Sequence, residues 1–469
     1  MPYYGYNVAY LSNKELVTAG FKHLVDHPFI MDSGPGYARL PNAFLLDKAL
    51  GVWPKRTAGG EKRARSVLVP SRISMKNFAR SLCNALEWAE ARGVDLMACD
   101  YATVLIGRYQ EELVKGIWSA GNRKLSASTV NARVEIALEF QMWAQDKGLR
   151  APFIVPAVTR TVVTGSHKNS RAHEAKEVVS RLGKVKVNKR LLSFPTLDEI
   201  RAWRQRVRDY PVTGETDVLI VDLILNTAIR REEAACWRID TLPLDPKDWT
   251  IINPDQPEEY QNVVVTLRYG TKGRQFGIDE HGDKIGPEGR IHVPLWLAKR
   301  LHKYYETKRG AALLKKLKTV TTLREQKQFR EQAVHLFLHP QTGERYNGEQ
   351  IYTLWSRRVP GPPHWSPHLG RDWWACTYLE ERMKQHADLI AKVFSIPTLN
   401  SEHPLVLRLR ETAQTVIQME IQPQLRHASS QTTEIYLQWL FAKLRMPLSM
   451  TRRWVELDNE VSSMEGGGE

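Results

Sequence analysis

Leu425-Arg426-His427-Ala428-Ser429-Ser430-Gln431-Thr432-Thr433-Glu434-Ile435-Tyr436 sets a tyrosine nine residues after a histidine. Thr432 and Thr433 are residue types that cap helices. A helix is therefore expected to carry Tyr436, with Leu437, Leu440, Phe441 and Leu444 along its length. Taken alone, that is an ordinary amphipathic helix with an ordinary tyrosine. Upstream, His368-Leu369-Gly370-Arg371 puts His and Arg three apart, on one helical face. No other of the 14 histidines has an arginine at that spacing. Further upstream, Asn226-Thr227-Ala228-Ile229-Arg230 closes a nearly all-apolar helix, and Glu232 and Glu233 fall in the first turn of the next. An arginine at that junction is partly buried, and a buried guanidinium needs an anion. Glu233 is one candidate for that anion, and Arg231 is the immediate rival of Arg230. His368, next to Pro367, has a plain alternative as a helix cap.

Two arginines, two histidines and a tyrosine suit attack on a phosphodiester. The transition state spreads negative charge over non-bridging oxygens, which guanidinium groups match bidentately while remaining charged. Arginines and a histidine can then do what metal ions do elsewhere, and no metal or cofactor is expected. A tyrosine hydroxyl with a pKa of about 10 is a weak nucleophile unless its surroundings help. The leaving oxygen needs a proton, which a lysine on a β-hairpin could deliver.

Composition supports a polyanionic partner. The 469 residues carry 67 Lys+Arg against 52 Asp+Glu, a net charge of +15. That argues for nucleic acid, or less often an anionic membrane surface. At 42% hydrophobic and 25% charged residues the chain has enough apolar material for real cores, which excludes wholesale disorder. Four scattered cysteines, none in a C-x-x-C pair, make neither a disulfide framework nor a zinc site. The Met1-Pro2-Tyr3-Tyr4-Gly5-Tyr6 start lacks the order of a signal peptide. The apolar run from Val218 to Ile229 is too short for a bilayer. No membrane association and a cytoplasmic location are expected, with nucleic acid as the favoured polyanion.

Residues 1–70 read as an N-terminal extension without assignable chemistry. Residues 71–155 read as a helical bundle. Met75, Phe78, Leu82, Leu86 and Ala89 mark one face of a first helix stopped at Gly93, and a second helix covers Tyr101 to Lys115. A third, capped by Ser126 or Ser128, shows two faces: Val130, Val134 and Leu138, then Ile136, Phe140 and Trp143. Residues 156–194 read as a basic interdomain linker. Its Lys184, Lys186, Lys189 and Arg190, with Arg133 of the third helix, are the expected contacts to a DNA backbone, although a charge run is as often just a solvated face. Residues 195–445 form a second domain, opened by the capping box Thr196-Leu197-Asp198-Glu199. It is mostly helical, with strands at Val263–Leu267 and Arg290–Pro294. Residues 446–469 read as a C-terminal segment and flexible tail. The fold class is mainly α, with a small antiparallel sheet in a mixed α+β second domain.

In this order the motifs resemble the tyrosine recombinase (phage integrase) family of site-specific DNA recombinases. Thr227-Ala228-Ile229-Arg230-Arg231-Glu232-Glu233 resembles the family's T-G-L-R-x-x-E block. Lys272 in Tyr269-Gly270-Thr271-Lys272-Gly273 resembles its hairpin lysine, with Arg274 and Lys284 as rivals. His368 and Arg371 match H-x-x-R, followed by Trp373-Trp374-Ala375. His427 and Tyr436 match L-G-H…T-T-x-x-Y, and Leu336-Phe337-Leu338 with Gly343 resembles the L-F-x segment. The resemblance spans about residues 71–445 and covers the helical unit, similar to the family's core-binding (SAM-like) domain. Asp372 stands where a second His is frequent, Gly370 where Leu is common, and Arg426 where Gly is usual. The gap between Arg371 and His427 is long, and its extra helices would pack on the core or reach a neighbour.

The resemblance implies a catalytic set of Arg230, Lys272, His368, Arg371, His427 and Tyr436. It implies strand exchange through a 3′-phosphotyrosine without metal or ATP, in a homotetramer on DNA that passes through a Holliday junction. The partner would be double-stranded DNA with specific recombination sites, the segment after Tyr436 would dock on a neighbour, accessory DNA-bending or directionality factors would join, and a mobile element in a bacterial cytoplasm is the implied setting. A type IB topoisomerase-like enzyme or hairpin-forming resolvase would use the same chemistry. A silent DNA-binding homologue would keep only the fold.

Overall fold

The computed structural model describes the chain except residues 1–4, 22–23, 33, 35, 54–69, 71, 164–174, 188–191, 273–276, 397–402, 428–434 and 445–469. The chain divides into two compact units, Met1–Lys189 and Arg190–Glu469.

In the first unit the helices Arg72–Ala91 and Ala127–Asp146 pack on each other. The two apolar faces of the second of these serve two cores. Val130, Val134 and Leu138 meet Trp88, Leu105 and Tyr109, while Ile136, Phe140 and Trp143 meet Ile30, Phe44 and Trp53. A helix apolar on two sides is stable only between two layers, and the N-terminal residues supply the second layer. They do so with the Arg39–Leu50 helix and the antiparallel pair β1 (Asn7–Tyr10) and β2 (Pro28–Met31). Tyr101–Gln110 forms a wide π-type turn that continues as the Glu111–Lys115 helix.

The stretch read as a basic linker contains structure. Strands β3 (Ala157–Val163) and β4 (Ala175–Arg181) pair antiparallel. Arg181 is buried and donates to Gln110 (2.9 Å) and Asn131 (3.1 Å). Asn131 in turn holds both backbone groups of Val185.

The second unit is helical around a four-stranded antiparallel sheet, as the resemblance implies. The sheet order is β5 (Ile251–Ile252), β6 (Asn262–Tyr269), β8 (Lys284–Pro294), β7 (Gly277–Ile278). The Thr196–Glu199 capping box forms, with bonds of 2.8 and 3.2 Å. At its centre runs the helix Gly214–Thr227, buried along its length. Its two buried acids are paired: Asp222 with Arg204 and Arg300, Asp217 with Tyr346 and Arg358. The extra sequence after Arg371 forms the helices Ala387–Phe394 and Pro404–Val416. They pack on this core through Val393, Val406, Leu409 and Ala413. Among the described residues no helix is long and apolar enough to cross a membrane.

Candidate active site

The site is assembled where helices end. The Gly214–Thr227 helix stops at Ala228, which is left-handed at φ 53°. The chain then leaves Arg230 extended at the mouth of the short helix Arg231–Ala235. The Arg230 backbone N–H donates to Glu233 Oε2 (2.6 Å), and its Nη1 donates to Glu233 Oε1 (2.9 Å). Glu233 is therefore the structural partner of Arg230, and the remaining guanidinium donors point elsewhere.

Arg371 comes from the helix Pro367–Lys384, which packs against Gly214–Thr227. A Cβ at Gly370 would lie 2.8 Å from the Trp355 ring, so glycine there permits the close approach that a leucine would prevent. Arg371 is 2% exposed. Its Nη1 donates to the Ala228 carbonyl and its Nη2 to the Leu425 carbonyl. Both acceptors end helices, where carbonyls lack intrahelical partners and carry the negative end of the dipole.

The Leu425 carbonyl is also reached by Arg230 Nη2 at 3.4 Å. One backbone oxygen thus touches both guanidinium groups. It lies at the end of the helix Gln422–Leu425, closed by Arg426 at φ 52°. That left-handed C-terminal position favours glycine. Arg426 instead sends its guanidinium to Glu233. Buried Gln424 fixes the segment, with Nε2 donating to the Thr227 (2.8 Å) and His292 (3.0 Å) carbonyls and Oε1 accepting from the His292 N–H (2.8 Å).

The electrostatics follow from this crowding. Burial and the adjoining Arg230 push Arg371 down to about 9, which leaves it cationic at neutral pH. Burial would raise Glu233, but Arg426 and Arg230 outweigh it and hold the carboxyl below its usual range. His427, two residues past the shared carbonyl, is pushed down to about 3 by burial and by Arg371 and Arg230. Its ring is neutral, and its buried Nδ1 has no hydrogen-bond partner among the described residues.

Tyr436 lies on a helix spanning 435–444 that packs on the second unit's own core through Leu437 and Leu440. The tyrosine is 1% exposed, and its hydroxyl donates to Asp372 Oδ1 at 3.0 Å. Burial and the Asp372 carboxylate raise the phenol, while Arg371 acts in the opposite sense. His368 stands in solvent with Nε2 3.9 Å from Asp372 Oδ2.

Lys272 reaches its place by backbone contacts. Gly270 (φ 69°) abuts the Glu232 carbonyl, which a Cβ would approach to 2.5 Å. Thr271 crosses β8 at Gly286, where a Cβ would clash with its hydroxyl and lie 2.8 Å from its carbonyl. Lys272 follows with its side chain exposed. Of its rivals, Arg274 lies outside the described residues and Lys284 pairs with Ile278 of β7.

The structure thus brings together Arg230, Arg371 and His427, links Tyr436 and His368 to them through Asp372, and sets Gly270, two residues before the exposed Lys272, against the Arg231–Ala235 helix. In the first unit Lys184 and Lys186 are exposed on either side of Val185, and Arg133 is half-buried and donates to Asn84 (3.0 Å). Lys189, Arg190, Thr432 and Thr433 lie outside the described residues. Sequence reasoning missed Gln424 as an anchor. It noted Asp372 and Arg426 only as departures, although a carboxylate and a cation inside a cationic block were signals that could have been followed.

No family model matches the chain, and no curated protein does. Solved structures are similar to it. XerH site-specific recombinase bound to its difH substrate is 15% identical, with 81% of each chain covered and a TM-score of 0.42. The Tn1549 transposon integrase in complex with circular intermediate DNA is 12% identical over 79% of this chain and 92% of that one, with a TM-score of 0.40. XerA recombinase is 13% identical over 80% and 93%, with a TM-score of 0.28.

Proposed function

We propose that the protein is a tyrosine recombinase that cuts and rejoins DNA at specific sites. One observation carries the reading: Arg230 and Arg371 share the Leu425 carbonyl, with His427 two residues further on. Groups drawn from three distant stretches form a cationic cradle. A scissile phosphate in that cradle meets the guanidinium donors left free by Glu233 and by the two carbonyls. His427, as a neutral ring, donates a hydrogen bond to a non-bridging oxygen.

Tyr436 Oη attacks phosphorus, the P–O5′ bond breaks, and the DNA 3′ end remains on the tyrosine. Lys272 gives the 5′-oxygen its proton, and His368 helps to manage protons at the solvent edge. Attack by a second strand's 5′-hydroxyl reverses the step. The ester conserves the bond, so the cycle needs neither ATP nor a metal. Lys184, Lys186 and Arg133, with Lys189 and Arg190, contact the DNA backbone. The working form is a tetramer on two sites that passes through a Holliday junction and exchanges the C-terminal segment between subunits. Accessory factors bend the DNA or set direction, and the setting is a mobile element in a bacterial cytoplasm.

The test uses duplexes with a nick in the scissile strand, tiled across DNA flanking the gene. Wild-type protein is expected to form a covalent adduct on one of them, and Tyr436→Phe none. Adducts with Tyr436→Phe would remove the nucleophile from this assignment. An absence of wild-type adduct on every duplex would leave only a DNA-binding homologue.

A further inference from the structure

A buried phenol does not attack phosphorus while it keeps its proton. As the P–O bond forms, the proton must pass to an acceptor within hydrogen-bond reach. Among the described residues the Tyr436 hydroxyl has one hydrogen-bond partner, Asp372 Oδ1 at 3.0 Å. Arg371 always carries its protons and cannot accept. His427 makes no hydrogen bond to the phenol, and His368 faces the other Asp372 oxygen at 3.9 Å rather than the tyrosine.

Asp372 is set by the same helix that sets Arg371, one residue on, and is 8% exposed. A carboxylate so close to a developing phenolate would oppose it unless the proton moved across. The other Asp372 oxygen lies 3.9 Å from Nε2 of His368, which is one helical turn earlier and 78% exposed.

We propose that Asp372 is the general base of the cleavage step, an assignment that rests on the recombinase reading. Tyr436 Oη bonds to phosphorus as its proton passes to Asp372 Oδ1. The P–O5′ bond breaks, and the leaving oxygen takes its proton from Lys272. The Asp372 proton returns to the phenolic oxygen when a 5′-hydroxyl reverses the step, or leaves through the solvent beside His368. The plain alternative is that Asp372 only satisfies a buried hydroxyl, as buried tyrosines require. Asp372→Asn separates the two, since its side-chain oxygen still accepts a hydrogen bond but takes no proton.

Single-turnover adduct formation on the nicked duplex that traps wild-type protein is the measurement. Asp372→Asn is expected to slow it by about 100-fold with DNA affinity unchanged. Trifluorotyrosine at position 436, whose phenol is more acidic, should recover roughly tenfold of that loss. Asp372→His keeps a proton acceptor. It should form adducts faster than Asp372→Asn and carries the test should the asparagine variant not fold. The assignment fails if Asp372→Asn reacts at the wild-type rate, if it reacts faster (a latch on the phenol), or if its loss is indifferent to the fluorinated tyrosine. In all three cases wild-type adducts still form and the recombinase reading stands. Wild-type protein that traps on no duplex removes both.

Discussion

His427 shows at the scale of one residue what the cationic cradle costs. Its ring titrates near 3 in the folded chain against an ordinary 6.5. Between those values the unfolded chain binds a proton that the folded chain refuses, so stability falls as pH drops from about 6.5 toward 3 and is fully present above 6.5. His427→Gln removes this contribution. Between about pH 7 and pH 4 the wild-type protein should lose about 1 kcal/mol or more beyond what the variant loses, read from urea midpoints. Parallel curves would mean that the imidazole is not desolvated. The residue types of the site were legible in the sequence because the proposed chemistry demands them. Glu233 was legible only as a candidate partner. Gln424 was silent, because an amide that bonds Thr227 and His292 carbonyls leaves no mark in a linear pattern.

At the scale of elements, the strands at Val263–Leu267 and Arg290–Pro294 were readable, and they lie within β6 and β8. The path between them was not. The chain leaves β6, passes Thr271 over β8 at Gly286, and returns as β7 on the far edge. Local propensity carries no information about a crossing that depends on two backbones touching. Gly286→Ala is expected to destabilise the protein by about 1–3 kcal/mol through overpacking, measured by denaturant unfolding. It should also slow cleavage of ordinary DNA more than cleavage of a 5′-bridging phosphorothiolate, whose thiol leaves without a proton. Equal slowing would separate this crossing from the delivery of the Lys272 proton. The stretch at 156–194 misled for a related reason. Its charge pointed to solvent or to a DNA backbone, yet Arg181 is buried on Gln110 and Asn131, and the backbone pairs as β3 and β4.

For the whole molecule, charge is the property that sequence states most directly. With a net +15 and phosphate contacts as the proposed source of affinity, DNA binding should weaken steeply with salt. Between 50 and 200 mM a loss of roughly 1,000-fold is expected, read by fluorescence anisotropy. A shallow dependence would assign the positive charge to something other than the duplex. The two-faced Ala127–Asp146 helix was likewise visible in the sequence, but that residues before 71 form its second layer was not, since their pattern is mixed and their contacts are distant in sequence.

Arg371 is gripped by main-chain oxygens at 228 and 425 rather than by neighbouring side chains. Those oxygens come with any amino acid, so the grip itself demands no particular side chain at either position, whatever burial and the left-handed turn at Ala228 demand. A search keyed to side-chain identity at 228 and 425 would pass over descendants that keep the geometry intact, whereas one keyed to where two helices stop would find them.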